Sequence, residues 1–160
     1  YRLNPKDMSV LIALSSKLLS ADKADAAVRY LEEAVDLYPL RSDSREQLSY
    51  ALMKSGDIGQ AVAQAKEAVR LDPKSASAQT LLGSVLMVQG YVGPAVEAYK
   101  EAAKLTPNDP DVIWLLSKSM EKSGDREGAM AQLQNFLQLC SPSDPRAQKV
   151  KEHLEELKAR

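Results

Sequence analysis

Four prolines recur at a fixed interval along this chain of 160 residues. They are Pro5, Pro39, Pro73 and Pro107, each 34 residues after the one before, and a further proline, Pro142, follows after 35. A fixed period of roughly 20–50 residues is the signature of repeat architectures, in which one small structural unit is stacked many times. A repeat array is therefore the first hypothesis for the fold.

Other positions come into register when the chain is aligned on these prolines. Nine residues after each proline stands a leucine, the next residue is always small, and an alanine stands 22 residues after the proline. The leucines are Leu14, Leu48, Leu82 and Leu116; the small residues are Ser15, Ser49, Gly83 and Ser117; the alanines are Ala27, Ala61, Ala95 and Ala129. We expect each leucine to be buried between helices and each small residue to let two helices approach closely.

The spacing within each unit is helical. Apolar residues recur three and four positions apart, as in Leu48, Ala51 and Leu52, which places them on one face of a helix. Midway through the second, third and fourth units stands a glycine, and an aspartate follows two of the three. These are Gly56, Gly90 and Gly124, with Asp57 and Asp125. Glycine ends a helix and aspartate caps the next one, so each unit is predicted to be a helical hairpin.

These positions resemble the tetratricopeptide repeat family. The resemblance rests on the period, on the pair Leu82 and Gly83, and on the closing prolines. It rests also on a large residue four after the alanine (Leu31, Tyr99, Leu133) and on a second alanine column (Ala34, Ala68, Ala102). It implies an all-α fold, a right-handed α-solenoid of helical hairpins, in one array over residues 1–160. The expected repeats are 8–41, 42–75, 76–109 and 110–142, after the tail of a preceding repeat at 1–7.

The chain departs from the family pattern at two informative positions. Ala65 stands where the other units carry a large residue, which favours lighter packing in the second repeat. Phe136 replaces the last small alanine, and we expect it to pack under a capping helix within residues 143–160. In that segment Ala147, Val150, Leu154 and Leu157 fall on one face. A solenoid needs such an end because each repeat buries its face only against its neighbours.

Composition argues against several classes of function. Twenty-one Lys and Arg stand against 22 Asp and Glu, with the two signs interspersed, so no basic field is present to bind nucleic acid or a membrane surface. No apolar run is long enough to insert into a membrane. Cys140 and His153 are the only residues of their types, too few for a metal site. We expect no catalytic, cofactor or metal site, a partly buried Cys140 and a surface His153.

The resemblance implies a concave groove lined by the first helix of each repeat, at its second, fifth, ninth and twelfth positions. Family members that bind the C-terminal carboxylate of a peptide carry Lys, Arg and Asn at these positions, and in this chain only Lys118 fits. Apolar and small side chains instead favour a protein or peptide segment with apolar side chains. The predicted groove residues are Ile12, Leu19, Glu46, Tyr50, Met53, Thr80, Ser84, Met87, Trp114, Lys118 and Glu121. For Trp114 packing inside the fourth repeat remains an alternative.

Three functions stay open from the sequence. The first is a non-enzymatic scaffold that binds a partner segment, as a fragment of a longer repeat protein. The second is the docking module of an enzyme whose catalytic domain lies outside this fragment, and the third is a self-assembling repeat oligomer. The sequence also predicts weak self-association through an uncapped N-terminal end, which includes Val10 and the stem of Lys17.

Overall fold

The computed structural model describes residues 7–141 and 143–159, and this part of the chain is built from α-helices alone. Nine helices lie within those ranges. They are α1 (Met8–Ser20), α2 (Ala24–Leu37), α3 (Ser42–Ser55), α4 (Ile58–Leu71), α5 (Ala76–Gln89), α6 (Val92–Leu105), α7 (Pro110–Ser123), α8 (Arg126–Leu139) and α9 (Ala147–Ala159).

The helices stack in chain order. Each helix packs against the next from α1 to α9, and in addition α1 contacts α3 and α3 contacts α5. The first helices of the first three hairpins therefore lie side by side on one face of the array. This is the predicted all-α solenoid, in which each hairpin is covered by the hairpins on either side.

The predicted turns are confirmed in three hairpins. Gly56, Gly90 and Gly124 end α3, α5 and α7 with φ of 94°, 89° and 88°, a left-handed conformation that glycine adopts without steric cost. The first hairpin has no glycine in its turn. Asp22 takes the left-handed conformation there, with φ of 57°, and aspartate is one of the few other residues that tolerate it.

The close approach of paired helices is also confirmed. The small residues Ser15, Ser49 and Ser117 are at most 1% exposed, and all four residues of the alanine column are fully buried. The hydroxyl of Ser49 donates a hydrogen bond of 2.8 Å to the carbonyl of Ala61, which joins α3 directly to α4. Small side chains at this contact therefore allow the two helices of a hairpin to pack closely.

The leucine column behaves unevenly, and the expectation that all four leucines are buried is wrong. Leu48 and Leu116 are each 3% exposed, but Leu82 is only half-buried, because it lies at the edge of the main core cluster. Leu14 is 37% exposed because it lies with Val10 and Ala13 on a face of α1 that no described helix covers.

Two hydrophobic clusters form the core. The larger one, which we call the main core cluster, runs from α2 to α8. The other, the smaller core cluster, joins α7 and α8 to α9. Phe136 is fully buried in the smaller cluster against Val150, Leu154 and Leu157, so the prediction that it packs under the capping segment is confirmed. The guanidinium of Arg146 lies 5.0 Å from the centre of the Phe136 ring.

Part of the N-terminal prediction falls on residues outside the described ranges. Residues 1–6 of the predicted preceding tail lie there, as does Pro142. Asp7 is described, and its carboxylate accepts a hydrogen bond of 2.8 Å from the backbone N–H of Ser9, which caps the first helix.

Candidate functional site

The main candidate site is a cleft of about 550 Å³ between the first helices of the second, third and fourth hairpins. Its wall is largely apolar. It is lined by Tyr50 and Met53 from α3; Ala76, Ser77, Thr80, Leu81 and Ser84 from α5; Thr106 and Asp109 from the turn between α6 and α7; and Asp111, Val112 and Leu115 from α7. We call this space the main cleft.

Two hydroxyl groups on the α5 wall of the main cleft already have partners inside their own helix. Thr80 donates to the carbonyl of Ala76 at 2.8 Å, and Ser84 donates to the carbonyl of Thr80 at 2.9 Å. The Ser84 hydroxyl also lies 3.0 Å from that of Tyr99. Because these polar atoms are satisfied, the α5 wall accepts apolar side chains without leaving a donor unpaired.

A smaller cleft of about 250 Å³ adjoins the main cleft on the side of the first hairpin. Tyr50 lines both and is 39% exposed, so it forms the ridge between them. The ammonium group of Lys54 lies 5.6 Å from the centre of the Tyr50 ring. The remaining lining residues are Ser16, Leu19, Ser20 and Gln47.

The structure brings five of the predicted groove residues to these two clefts, namely Leu19, Tyr50, Met53, Thr80 and Ser84. Two others, Ile12 and Met87, are half-buried against the main core cluster and line neither cleft. Glu46 lies beside the main cleft, where its carboxylate accepts a hydrogen bond of 3.1 Å from the Ser75 hydroxyl.

The three predicted residues on α7 lie together, away from both clefts. Trp114 is half-buried, with its ring centre 5.6 Å from that of Phe136. The ammonium group of Lys118 lies 5.3 Å from the centre of the Trp114 ring and 3.2 Å from the Glu121 carboxylate. Trp114 therefore packs mainly inside the fourth hairpin, which was the alternative to a groove position.

Polar contacts tie α7 to the C-terminal helix at both ends. Arg146 pairs with Asp111 at 2.7 Å, and the Nε2 atom of His153 lies 3.0 Å from both carboxylate oxygens of Glu121. Burial alone raises the pKa of the Glu121 carboxyl, but hydrogen bonds with His153 and Lys118 outweigh it, so the pKa lies below its ordinary value. His153 is therefore a half-buried structural partner, and its prediction as a simple surface residue is wrong.

Several lining residues of the main cleft were not predicted from the sequence. Leu81 and Leu115 occupy the sixth position of their hairpins, and Val112 occupies the third. A weak signal for the sixth position was present, because only the third and fourth hairpins carry leucine there. Thr106 and Asp109 come from the turn before α7, which a pattern of helical positions does not include.

Over 7–141 and 143–159, no group of three His, Cys, Asp or Glu side chains is placed to hold a metal ion. None of the described helices is long and apolar enough to cross a membrane. Cys140 is half-buried beside Leu137, whose carbonyl lies 3.9 Å from its Sγ, and it packs against the smaller core cluster as predicted.

Comparisons with known proteins agree with this fold. Residues 46–110 match the family model described as tetratricopeptide repeat, and residues 1–71 match one described as bacterial transcriptional activator domain. No curated protein sequence matches the chain.

Among solved structures, MamA residues 41 to the end from Desulfovibrio magneticus RS-1 has a TM-score of 0.81 at 22% identity, over 96% of this chain and 84% of that one. TTC0263, a thermophilic tetratricopeptide repeat protein of Thermus thermophilus, has a TM-score of 0.79 at 21% identity, over 98% of this chain and 84% of that one. The structure of Naa15/Naa10 bound to HypK-THB contains a chain similar to this one at 20% identity and a TM-score of 0.75. That match covers 95% of this chain and 23% of that one.

The repeated columns, the stacked hairpins and the family model over the central hairpins all lead to one assignment. Residues 46–110 match the tetratricopeptide repeat model, and the described residues have the fold of tetratricopeptide repeat proteins.

Proposed function

We propose that the chain is a non-catalytic scaffold that binds a segment of a partner protein in the main cleft. The observation that carries this proposal is the cleft itself, an apolar space of about 550 Å³ lined mainly by the first helices of three hairpins. We divide the array into repeats at 8–41, 42–75, 76–109 and 110–142, so that the cleft spans the second to the fourth.

The size of the cleft suits a few inserted side chains. Burying one large apolar side chain contributes roughly 1.5–3 kcal/mol. The cost of ordering a flexible segment offsets much of that gain, which leaves affinities on the order of micromolar for two or three inserted side chains. Tyr50 is suited to anchor such a contact, since it is exposed, aromatic and placed on the ridge between the clefts.

The cleft is unsuited to a partner's terminal carboxylate. Among the described residues, no lysine or arginine lines the main cleft, and the two charged residues that line it, Asp109 and Asp111, are acidic. Lys118, the one predicted residue with the right charge, is occupied by Glu121 and the Trp114 ring. An internal segment, held through its side chains, is the better occupant.

The comparisons support the general role and leave the partner open. The Naa15/Naa10 structure is solved bound to HypK-THB, so a protein with this fold is seen in a complex with other proteins. We extend protein binding, but no particular partner, from that case to this chain.

The test compares two exposed tyrosines. Tyr50→Ala removes the ridge of the cleft, whereas Tyr91→Ala changes a tyrosine that is 56% exposed and lines neither cleft. Partners captured by the full-length protein from its own cells are quantified for parent and variants. We expect Tyr50→Ala to weaken capture about tenfold, in line with an aromatic anchor, and Tyr91→Ala to leave it unchanged.

The two alternative functions give different outcomes in the same experiment. If the chain is the docking module of an enzyme, the full-length protein carries a catalytic domain and the captured partner is its substrate or regulator. If the chain is a self-assembling oligomer, its main partner is itself, and Tyr50→Ala has no effect. Equal capture by the Tyr50→Ala and Tyr91→Ala variants would reject the cleft as the binding surface.

A further inference from the structure

We infer that the segment bound in the main cleft carries a lysine or arginine next to its apolar anchor. This inference rests on the proposed function and adds the chemistry of the partner. It follows from the charges around the cleft, where the described residues supply more carboxylates than cations.

The charged groups that line the main cleft are both carboxylates. Asp109 caps α7 and accepts hydrogen bonds from the backbone N–H groups of Asp111 and Val112 at 2.9 and 3.4 Å. Among the described residues it has no ion-pair partner. Asp111 is 72% exposed at its side chain and also lines the cleft, two residues after Asp109.

Among the described residues, Arg146 is the cation at this end of the cleft, and it does not neutralise all the carboxylates there. Arg146 pairs with Asp111 at 2.7 Å and also with Asp144 at 2.7 Å, so a single guanidinium serves two carboxylates. With Asp109 included, three carboxylates face one cation. This end of the cleft therefore carries a net negative charge, which favours a cationic ligand.

A further carboxylate stands on the opposite wall. Glu46 accepts its hydrogen bond from Ser75, a neutral group, and has no ion-pair partner in the described part of the chain. Ser75 precedes the lining residues Ala76 and Ser77, so this carboxylate lies near the same rim. The adjacent basic residue on its helix, Arg45, donates its hydrogen bonds to the carbonyl of Pro39 and to Gln64 instead.

The apolar wall and the acidic rim together specify the occupant. A large apolar side chain enters between Tyr50, Leu81 and Leu115, and a lysine or arginine a few residues away lies between Glu46 and Asp109. An acidic or phosphorylated segment would place its charge against these carboxylates, so it is disfavoured. A segment with both a basic and an apolar residue gains affinity from both contacts, and the charge pairing also fixes its orientation in the cleft.

The test uses a displayed library of random 12-residue peptides selected on the parent protein at low salt. Selected peptides are then measured against three variants. Tyr50→Ala reports on the apolar wall. Glu46→Gln with Asp109→Asn removes two charges but keeps the cap of α7, since asparagine also caps helices. Glu155→Gln is the control, because Glu155 is 73% exposed on α9 and pairs with Lys158, far from the cleft.

We expect selected peptides to combine a large apolar residue with an excess of Lys and Arg. The double charge variant should bind them roughly three- to tenfold more weakly, the scale of one or two exposed charge pairs. Binding should fall further as salt rises from about 50 to 500 mM, since salt screens exposed charges.

The possible failures are distinguishable. Peptides that depend on Tyr50 but show no basic excess, or that bind the double charge variant as well as the parent, overturn this inference and leave the proposed function standing. Peptides that bind the Tyr50→Ala variant as tightly as the parent, or selection of no peptide at all, contradict both.

Discussion

Gly83 on α5 lies directly against the ring of Tyr99 on α6. A Cβ atom built at residue 83 would come within 2.8 to 2.9 Å of three ring carbons, closer than carbon atoms approach in folded proteins. The third hairpin therefore accommodates a tyrosine because its small residue has no side chain. The first and fourth hairpins use a serine at this position with Leu31 or Leu133 four residues after the alanine, and both leucines are buried.

This relationship predicts a compensating pair of substitutions. Gly83→Ala should destabilise the array by about 1–3 kcal/mol, because Tyr99 is 2% exposed and its ring has little room to shift. Gly83→Ser combined with Tyr99→Leu copies the first and fourth hairpins, and it should recover much of the loss. Urea denaturation measures both. If the double variant is no more stable than Gly83→Ala, the pairing explanation is wrong.

The leucine column gives a graded prediction. Leu116→Ala should lower the free energy of unfolding by about 2–5 kcal/mol, through lost burial and the cavity left behind. Leu14→Ala should cost less than about 1 kcal/mol, because that side chain is 37% exposed. Equal losses in urea denaturation would show that Leu14 is covered in solution.

Ser44 offers a stabilising substitution. It is fully buried in α3, and its hydroxyl has no hydrogen-bond partner among the described residues. The equivalent residues of the other hairpins are Val10, Ala78 and Val112. Ser44→Ala should raise the free energy of unfolding by about 1–3 kcal/mol, the cost of an unpaired buried polar group.

The matched control for Ser44 is Ser119. It is equally buried, but its hydroxyl donates to the carbonyl of Leu116 at 2.8 Å. Ser119→Ala should therefore be neutral or destabilising. A loss of stability in the Ser44→Ala variant would mean that its hydroxyl has found a partner in solution.

The contact between α7 and α9 should weaken in acid. The pKa of Glu121 is lower in the folded chain, so its carboxylate stabilises the fold above the ordinary glutamate pKa of about 4.3. That contribution is lost as the pH falls through the lower, folded value. The fluorescence of Trp114, the only tryptophan of the chain, reports on this contact because the ring packs against the smaller core cluster, to which α9 contributes Val150, Leu154 and Leu157.

An acid titration separates this effect from general unfolding. Glu121→Gln should flatten the part of the fluorescence change that occurs near and below about pH 4, while Glu155→Gln, on the exposed face of α9, should leave the curve unchanged. Superimposable curves for parent and Glu121→Gln would show that this carboxylate does not stabilise the docked helix.

The exposed face of α1 predicts weak self-association. Val10, Ala13, Leu14 and the stem of Lys17 surround a shallow hollow of about 370 Å³. We expect the average mass in sedimentation equilibrium to rise with concentration, and Leu14→Lys to prevent the rise. Leu40→Lys, at a leucine that is 77% exposed elsewhere, is the control. Association unaffected by Leu14→Lys would place the interface on another surface.

The sequence predicted the fold well because its main constraints are local and periodic. The glycine turns, the small residues between paired helices and the burial of Phe136 all follow from side-chain size and helical spacing. Burial of Leu14 and Leu82 was not predicted correctly, since it depends on which neighbours cover each helix face rather than on the position of the residue in its repeat.

The site was less predictable for a related reason. A pattern of inward-facing positions treats every repeat alike, but here His153 on α9 engages Glu121 on α7, and Arg146, just before α9, engages Asp111. The predicted groove residues Lys118 and Glu121 therefore have partners within the chain and line neither cleft. Thr106 and Asp109 belong to a turn, where helical periodicity carries no information about direction.

The most direct test of the proposed binding surface is site-specific photo-crosslinking. A photoreactive phenylalanine analogue replaces Ser77, an exposed residue that lines the main cleft, or Glu101, an exposed residue on α6 outside it. The full-length protein is irradiated in its own cells, and crosslinked peptides are identified by mass spectrometry. The account predicts crosslinks from position 77 to a defined internal segment of a partner protein and none from position 101. Crosslinks to partners from position 101 alone, or equally from both, would contradict it.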